Sequence, residues 1–445
     1  MAADQSRDAD LGHLSSIPLP VSHPTPPPRP GPGPLNGVRV VELAHPFGAF
    51  AGKLMADAGA DVVVVEPPSG AEQRGHGPFA DGVPGPERSL SWWAENTSKR
   101  SVVADLDGDD GRQVFRTLVA AADVLLECEP NRLTALDFDD AALSALRADL
   151  IHVAITPFGR DGIGGHGGPD GGAETDLTIL ARGGPMWSCG YDDHELAPVR
   201  GRGNQSLRLA AHFAVMSVLT ALLARSRHGG QFVDVSMVAA ANVTTEFASY
   251  GWLAAQETVQ RQTGRHATPS PSEPTQVRCA DGRFLNTGVP PRRGKEFEAL
   301  LGWVRELGLD DDFTMTPLLE MGADYDVITL AMLHDDPLAG EVFQAGREAM
   351  AFIAGNVSAH DAFCGFQTRG LAAGVVWSPD EVLTDPQFVE RGFRVEVHHD
   401  EIGRDVVYPG PPIRFTASPM GIRSPAPRLG EHTEAVVAEW AGTNG

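Results

Sequence analysis

A few places in the sequence put side chains able to do acid–base or nucleophilic chemistry beside an element boundary. His45, in LAHPFG, follows an apolar strand candidate. An imidazole at a strand end can serve as a general acid or base; a packing or turn histidine is the competing reading. Asp176 opens the apolar run LTIL, with Glu174 two residues before it. A carboxylate there is either an N-terminal helix acid, favoured by capping and the helix dipole, or a group available for chemistry. Glu246, after the strand candidate Gln231–Met237, is another acid near the same cleft. The Gly-rich GRDGIGGHGGPDGG (159–172) invites a phosphate-loop reading. It has neither GxxxxGK[ST] nor a strand–GxGxxG–helix context, so it reads as a flexible loop at a cleft mouth. The acid-rich HHDEIGRD (398–405) lacks metal-ligand spacing and reads as a hairpin.

These residues need a frame, and the hydrophobic pattern supplies one. Val38–Leu43 is a buried strand, Phe50–Ala58 a helix with Gly59 suited to its C-terminal cap, and Asp61–Glu66 (DVVVVE) a second strand. Strand, short helix and strand within about 30 residues make a parallel βαβ unit. The alternation continues through Ser101–Leu106, Gly111–Ala122, Val124–Leu126, Asp140–Leu150 and Ile151–Ile155, which predicts an open, doubly wound α/β sheet. Leu207–Arg225 (LRLAAHFAVMSVLTALLAR) is apolar around most of its circumference, which predicts a buried helix. From about residue 270 the texture changes to Ser-Pro clusters, short strands and acid-rich helices, as expected of a smaller α+β unit.

Bulk properties narrow the function classes. The 445 residues carry a formal net charge of −24, which disfavours nucleic acid and anionic membrane as partners. Only Lys53, Lys99 and Lys295 are lysine. The four cysteines are widely spaced with no CxxC, which argues against a disulfide framework or structural zinc. No run of 18 consecutive apolar residues and no basic-then-apolar leader is present, so a cytoplasmic location is the expectation. Residues 1–34 end in PTPPPRPGPGP and read as a disordered or extended arm.

Several motifs then fall in one order: LNGVRVVELAHPFGAFAGKLMADAGADVVVVE (35–66), the LLARSRHGGQFVDVSMV segment (222–238), LTDPQFVERGF, YPGPPIRF and LGEHTE. Together they resemble the class III CoA-transferases, the CaiB/BaiF family. The resemblance implies a Rossmann-like large domain built from both chain ends, a smaller inserted domain and two interlocked subunits. On that basis the chain divides into the arm 1–34, a large domain 35–215, linker helices and strand 216–270, a small domain 271–375 and a returning segment 376–445. It implies CoA or acyl-CoA as substrate, a small-molecule acid as acceptor and no metal.

The resemblance also implies a nucleophilic aspartate at the start of the helix leading into Leu222-Leu223. That carboxylate would attack the thioester, and CoA thiolate would attack the resulting mixed anhydride to give an aspartyl-CoA thioester. Aligned back from Leu222-Leu223, the position falls on Leu207; counted forward from Asp176, it falls on Gln205. No Asp lies between Asp193 and Asp234. Asp176 matches a position often acidic in the family. A racemase-type pair would need a His before it, where Thr175 stands. For the CoA phosphates, Lys99 and Arg100 in ENTSKRSVV resemble the family's NKRSV, and Arg74 matches a common arginine. Arg132 is the nearby substitute for a family arginine that falls at Leu136 or Ala135. Pro67 and Glu129 replace a basic and an aromatic residue and should oppose nucleotide binding. The resemblance therefore implies either a homodimer with a non-standard nucleophile, drawn first from Asp176, Glu174 and His45, or a heterodimer with an aspartate-bearing paralogue. Repurposing of the fold for another reaction is the remaining expectation.

Overall fold

The computed structural model describes residues 32–160, 174–264, 267–269 and 271–442. The arm up to residue 31, most of the Gly-rich stretch (161–173) and the side chain of Glu246 lie outside the described residues.

Six strands form one parallel sheet in the order β3-β2-β1-β4-β5-β6. They are β1 (Arg39–Leu43), β2 (Asp61–Glu66), β3 (Arg100–Val103), β4 (Val124–Glu127), β5 (Ile151–Thr156) and β6 (Gln231–Ser236). The central strands are apolar on both faces, as a covered parallel sheet requires, and neighbouring residues serve opposite sides. Val40, Val62 and Val124 enter one core with the helices Ala49–Asp57 and Gln205–His228. Val41, Val63 and Leu125 enter the other with Asp109–Ala121 and Thr433–Ala441. The strand order reverses between β1 and β4, and beyond the carboxyl ends of such a pair doubly wound sheets carry their ligand crevice.

The chain's end returns to this sheet. Gly430 N donates to Ser101 Oγ at 2.8 Å, and Val103 N donates to Thr433 Oγ1 at 3.0 Å. Trp440, fully buried, donates from Nε1 to Asp61 Oδ2 at 3.2 Å. A separate core belongs to the antiparallel strands β7 (Gln276–Arg278), β8 (Phe284–Asn286) and β9 (Gly374–Val376). The helices Gly294–Glu306, Pro337–Asn356 and Ala359–Thr368 cover them around Phe297, Trp303 and Phe366. Residues 398–405 do form a turn between antiparallel strands, β10 (Arg394–His399) and β11 (Arg404–Pro409).

Two expectations change. The helix expected over 140–150 ends at Leu146, and a loop carries the chain into β5. The long apolar helix is Gln205–His228, and it is not buried all round. Ala210, Ala214, Val218 and Ala221 pack against the sheet, while Met216 (55% exposed), Leu219 and Leu223 (81%) face outward. By length and composition it is apolar enough to cross a membrane. In the fold it is a sheet-covering helix that ends in Arg225, Arg227 and His228.

Because Trp440 fixes the returning helix to both β2 and the Asp109–Ala121 layer, Trp440→Ala should lower stability by about 3–5 kcal/mol, read by denaturant unfolding. An unchanged midpoint would mean that the terminal helix adds nothing to the sheet.

Candidate functional site

Asp176 sits at the first turn of the helix Asp176–Gly183, which is capped by Thr175. Its carboxylate turns away from that helix toward the head of Gln205–His228. Oδ1 accepts Ser206 N at 2.8 Å and Ser206 Oγ at 2.8 Å. Oδ2 pairs with Arg200 Nη1. Asn204 precedes the long helix in left-handed conformation, with no side-chain cap of its own. Asp176 therefore supplies the missing cap from 30 residues away, and it is 6% exposed. Glu174 is half-buried beside it and accepts Thr178 Oγ1 at 2.6 Å. At the same helix head, Leu207 is buried in the core below the sheet and Gln205 is exposed.

His45 lies just past β1, at the crevice where the strand order reverses. Its Nδ1 accepts Phe47 N at 3.2 Å, which leaves Nε2 to carry the proton of the neutral ring. Burial holds its pKa below the usual histidine value, against the pull of Glu129, Glu72 and Glu127, so the ring is uncharged near neutral pH. Among the described residues no hydrogen bond or ion pair joins His45 to Asp176 or Glu174, so the three candidate catalytic groups are not one constellation.

The cations assigned to phosphates are mostly engaged elsewhere. Lys99, 2% exposed, directs its ammonium to Glu42 Oε1, Ala49 O and Asn96 Oδ1, each at 2.8 Å. Arg74, also 2% exposed, is bidentate to Glu66 at 2.6 and 2.8 Å, reaches Glu87 at 2.8 Å and stacks 3.8 Å over Trp92. Arg100 joins Asp61 to Glu439, tying β2 and β3 to the terminal helix. A phosphate would have to displace buried carboxylates at each of the first two. Arg132 differs: it is about half exposed, with only loose pairs to Asp107 at 3.6 Å and Glu129 at 3.7 Å, and it stands beyond β4 at the crevice.

Under the crevice runs a buried polar chain that the sequence did not announce. From Lys99 it passes through Asn96 to Gln73 Oε1 (3.2 Å) and from Gln73 Nε2 to Glu95 (2.7 Å). Glu95 then pairs with Arg208 on the first turn of the long helix at 2.5 Å, and Arg208 stacks 4.0 Å over Phe50. At its other end Glu42 is pushed up to about 7, chiefly by burial and against the pull of Lys99. Its Oε2 has no hydrogen-bond partner. That oxygen lies where Gly52 leaves room; a Cβ on Gly52 would stand 1.6 Å from it.

Residues 35–433 match the model of CoA-transferase family III. The chain belongs to this family. It is 30% identical over 404 residues to the succinyl-CoA:(R)-benzylsuccinate CoA-transferase subunit BbsE of Thauera aromatica, covering 90% of this chain and 93% of that one. It is 30% identical over 416 residues to the succinate–glutarate CoA-transferase of Agrobacterium fabrum, covering 91% and 95%. A CaiB/BaiF family protein of Brucella suis superposes with a TM-score of 0.72 at 25% identity, covering 92% of this chain and all of that one. The family and the α/β architecture expected from the motifs both hold, and the chain is a CoA-transferase-like protein of acyl-CoA chemistry.

Within this family member the buried Glu42–Lys99 pair makes a pH-dependent contribution. A carboxyl raised from an ordinary 4.5 to about 7 stabilises the fold fully below 4.5 and loses that contribution as pH rises through 7. Lys99→Met removes the cation that restrains the shift, so Glu42 must stay protonated or be buried as an unpaired charge to still higher pH. The variant should lose about 3–5 kcal/mol at pH 8 and markedly less at pH 5. Urea unfolding at the two pH values reads the difference; an equal loss at both would show that Glu42 is not the group responding.

Proposed function

We propose that this chain is the subunit of a two-chain CoA-transferase that frames the acyl-CoA site and leaves the aspartyl nucleophile to a partner of the same fold. The carrying observation is the head of the Gln205–His228 helix. The family resemblance puts the nucleophile at Leu207 or Gln205, an aliphatic group in the core and an amide at the surface. An ionised carboxylate is what the covalent mechanism needs, and neither group supplies one. The nearest acid, Asp176, has Oδ1 on Ser206 and Oδ2 on Arg200; attack on a thioester would uncap the long helix and strip a buried ion pair.

Two further observations favour a partner chain. The relative from Thauera is itself named as a subunit. The outward face of the Gln205–His228 helix exposes Met216, Leu219 and Leu223 together, more apolar side chain than a scattered surface residue accounts for. An interlocked pair of subunits would cover such a face. In this reading Arg132 is the cation offered to a CoA phosphate, and neutral His45 lines the crevice as a hydrogen-bond donor through Nε2.

The purified chain is incubated with succinyl-CoA and a panel of dicarboxylates, alone and together with an aspartate-bearing paralogue from the same source. Hydroxylamine trapping and peptide mass mapping follow. The chain alone should give no transfer and no acyl adduct, and the pair should give transfer with the adduct on the paralogue. An adduct on Asp176 or Glu174, or turnover by the chain alone, would refute the subunit reading and identify a relocated nucleophile.

A further inference from the structure

Arg261 is buried to 8% exposure, and among the described residues its guanidinium bonds to backbone carbonyls and to no carboxylate. Its Nη2 donates to two backbone carbonyls, His194 O at 2.9 Å and Leu196 O at 2.8 Å. Nε is buried with no acceptor. Nη1 makes no hydrogen bond among the described residues. Burying a guanidinium on carbonyl dipoles alone is costly, and buried charges in folded proteins are ordinarily paired. The fold nonetheless makes room for it: a Cβ on Gly190 would lie 2.8 Å from Arg261 Cδ.

This cation lines a cavity of about 410 Å³ between the 187–198 segment and residues 258–261. Its other walls are mainly apolar, with Trp187, Leu196, Pro198 and Val259. Trp187 is 56% exposed, yet its ring is held in place because Nε1 donates to Val259 O at 2.9 Å. A fixed, half-open indole beside an uncompensated guanidinium recognises a molecule with two ends, one anionic and one apolar. Glu195 also lines the cavity, but it is exposed and not within ion-pair reach of Arg261, so it stands at the rim and does not neutralise the cation.

We propose that this cavity binds an organic acid with an apolar, ring-bearing body, its carboxylate on Arg261 and its body on Trp187. The site deepens the subunit reading only in naming the acid that the transferase would hold; the binding itself needs neither CoA nor a partner chain. Pro198 lies two residues from Arg200, which pairs with Asp176, so an acid in the cavity would bear on the segment that sets the head of the long helix.

The test is calorimetric titration of the full chain with 3-phenylpropionate and with its uncharged amide. The acid should bind saturably, and the amide at least about tenfold more weakly, because it cannot accept a charge-assisted pair of hydrogen bonds. Arg261→Gln should weaken the acid by about tenfold or more, and Arg261→Lys should recover part of the loss. Trp187→Ala should weaken it as well. No saturable binding of the acid, or binding of the amide within about twofold of the acid, would overturn the proposal. So would a folded Arg261→Gln protein that binds as the parent does. If that variant does not fold, the acid–amide comparison on the unaltered chain still decides. An acyl adduct found on this chain would sink the subunit reading and leave the acid site standing, whereas failure of acid binding would leave the subunit reading intact.

Discussion

Asp176 places one carboxylate between the beginnings of two helices, and much of the candidate site is arranged by it. The helix it belongs to has its own cap in Thr175, so the charge is free to serve the amide and hydroxyl of Ser206. Arg200 then balances the charge and fixes the loop that runs between the helices. A cap of this kind is worth about 1 kcal/mol in stability, but its geometric effect is larger. It sets where the Gln205–His228 helix starts and therefore which side chains stand at the crevice. The same interaction engages both oxygens of this carboxylate, one on Ser206 and the other on Arg200.

The crevice is rich in charge but poor in charge that a ligand could use. Glu42, Glu66 and Glu95 are buried, and Lys99, Arg74 and Arg208 neutralise them from within. Such pairs contribute little net stability relative to apolar residues, yet breaking one side leaves a buried unpaired charge, so they lock the surrounding elements to one geometry. Here they lock β1, the 49–57 helix, the 96–99 turn and the first turn of the long helix. Exposed pairs such as Arg132 with Glu129 are worth far less and can be exchanged for a ligand's phosphate. Burial decides between structural and binding roles for cations that look alike in sequence.

Three features of the described residues stand side by side: an apolar helix covered on one side only, a helix head that buries Leu207 and exposes Gln205, and a guanidinium held by backbone carbonyls. On the proposed readings another subunit would cover the first, another chain's aspartate would act beside the second, and an acid would pair with the third.

The sequence by itself determined the family, the parallel sheet and the direction of its strands. Those follow from local signals: the valine runs of Asp61–Glu66, the glycine after a short helix, and motifs whose order along the chain is specific. It also contained the lack of aspartate between Asp193 and Asp234, which no folding can alter. Tertiary structure alone decided which charges are available. Lys99 and Glu42 are 57 residues apart, Asp176 and Arg200 are 24 apart, and Arg261 meets the 187–198 segment across more than 60 residues. Nothing in spacing or composition brings those groups together; chain crossover and packing do. Desolvation then turns a lysine that reads as a phosphate ligand into the inner half of an ion pair, and packing places Arg261, which no sequence motif singles out, in the wall of a cavity.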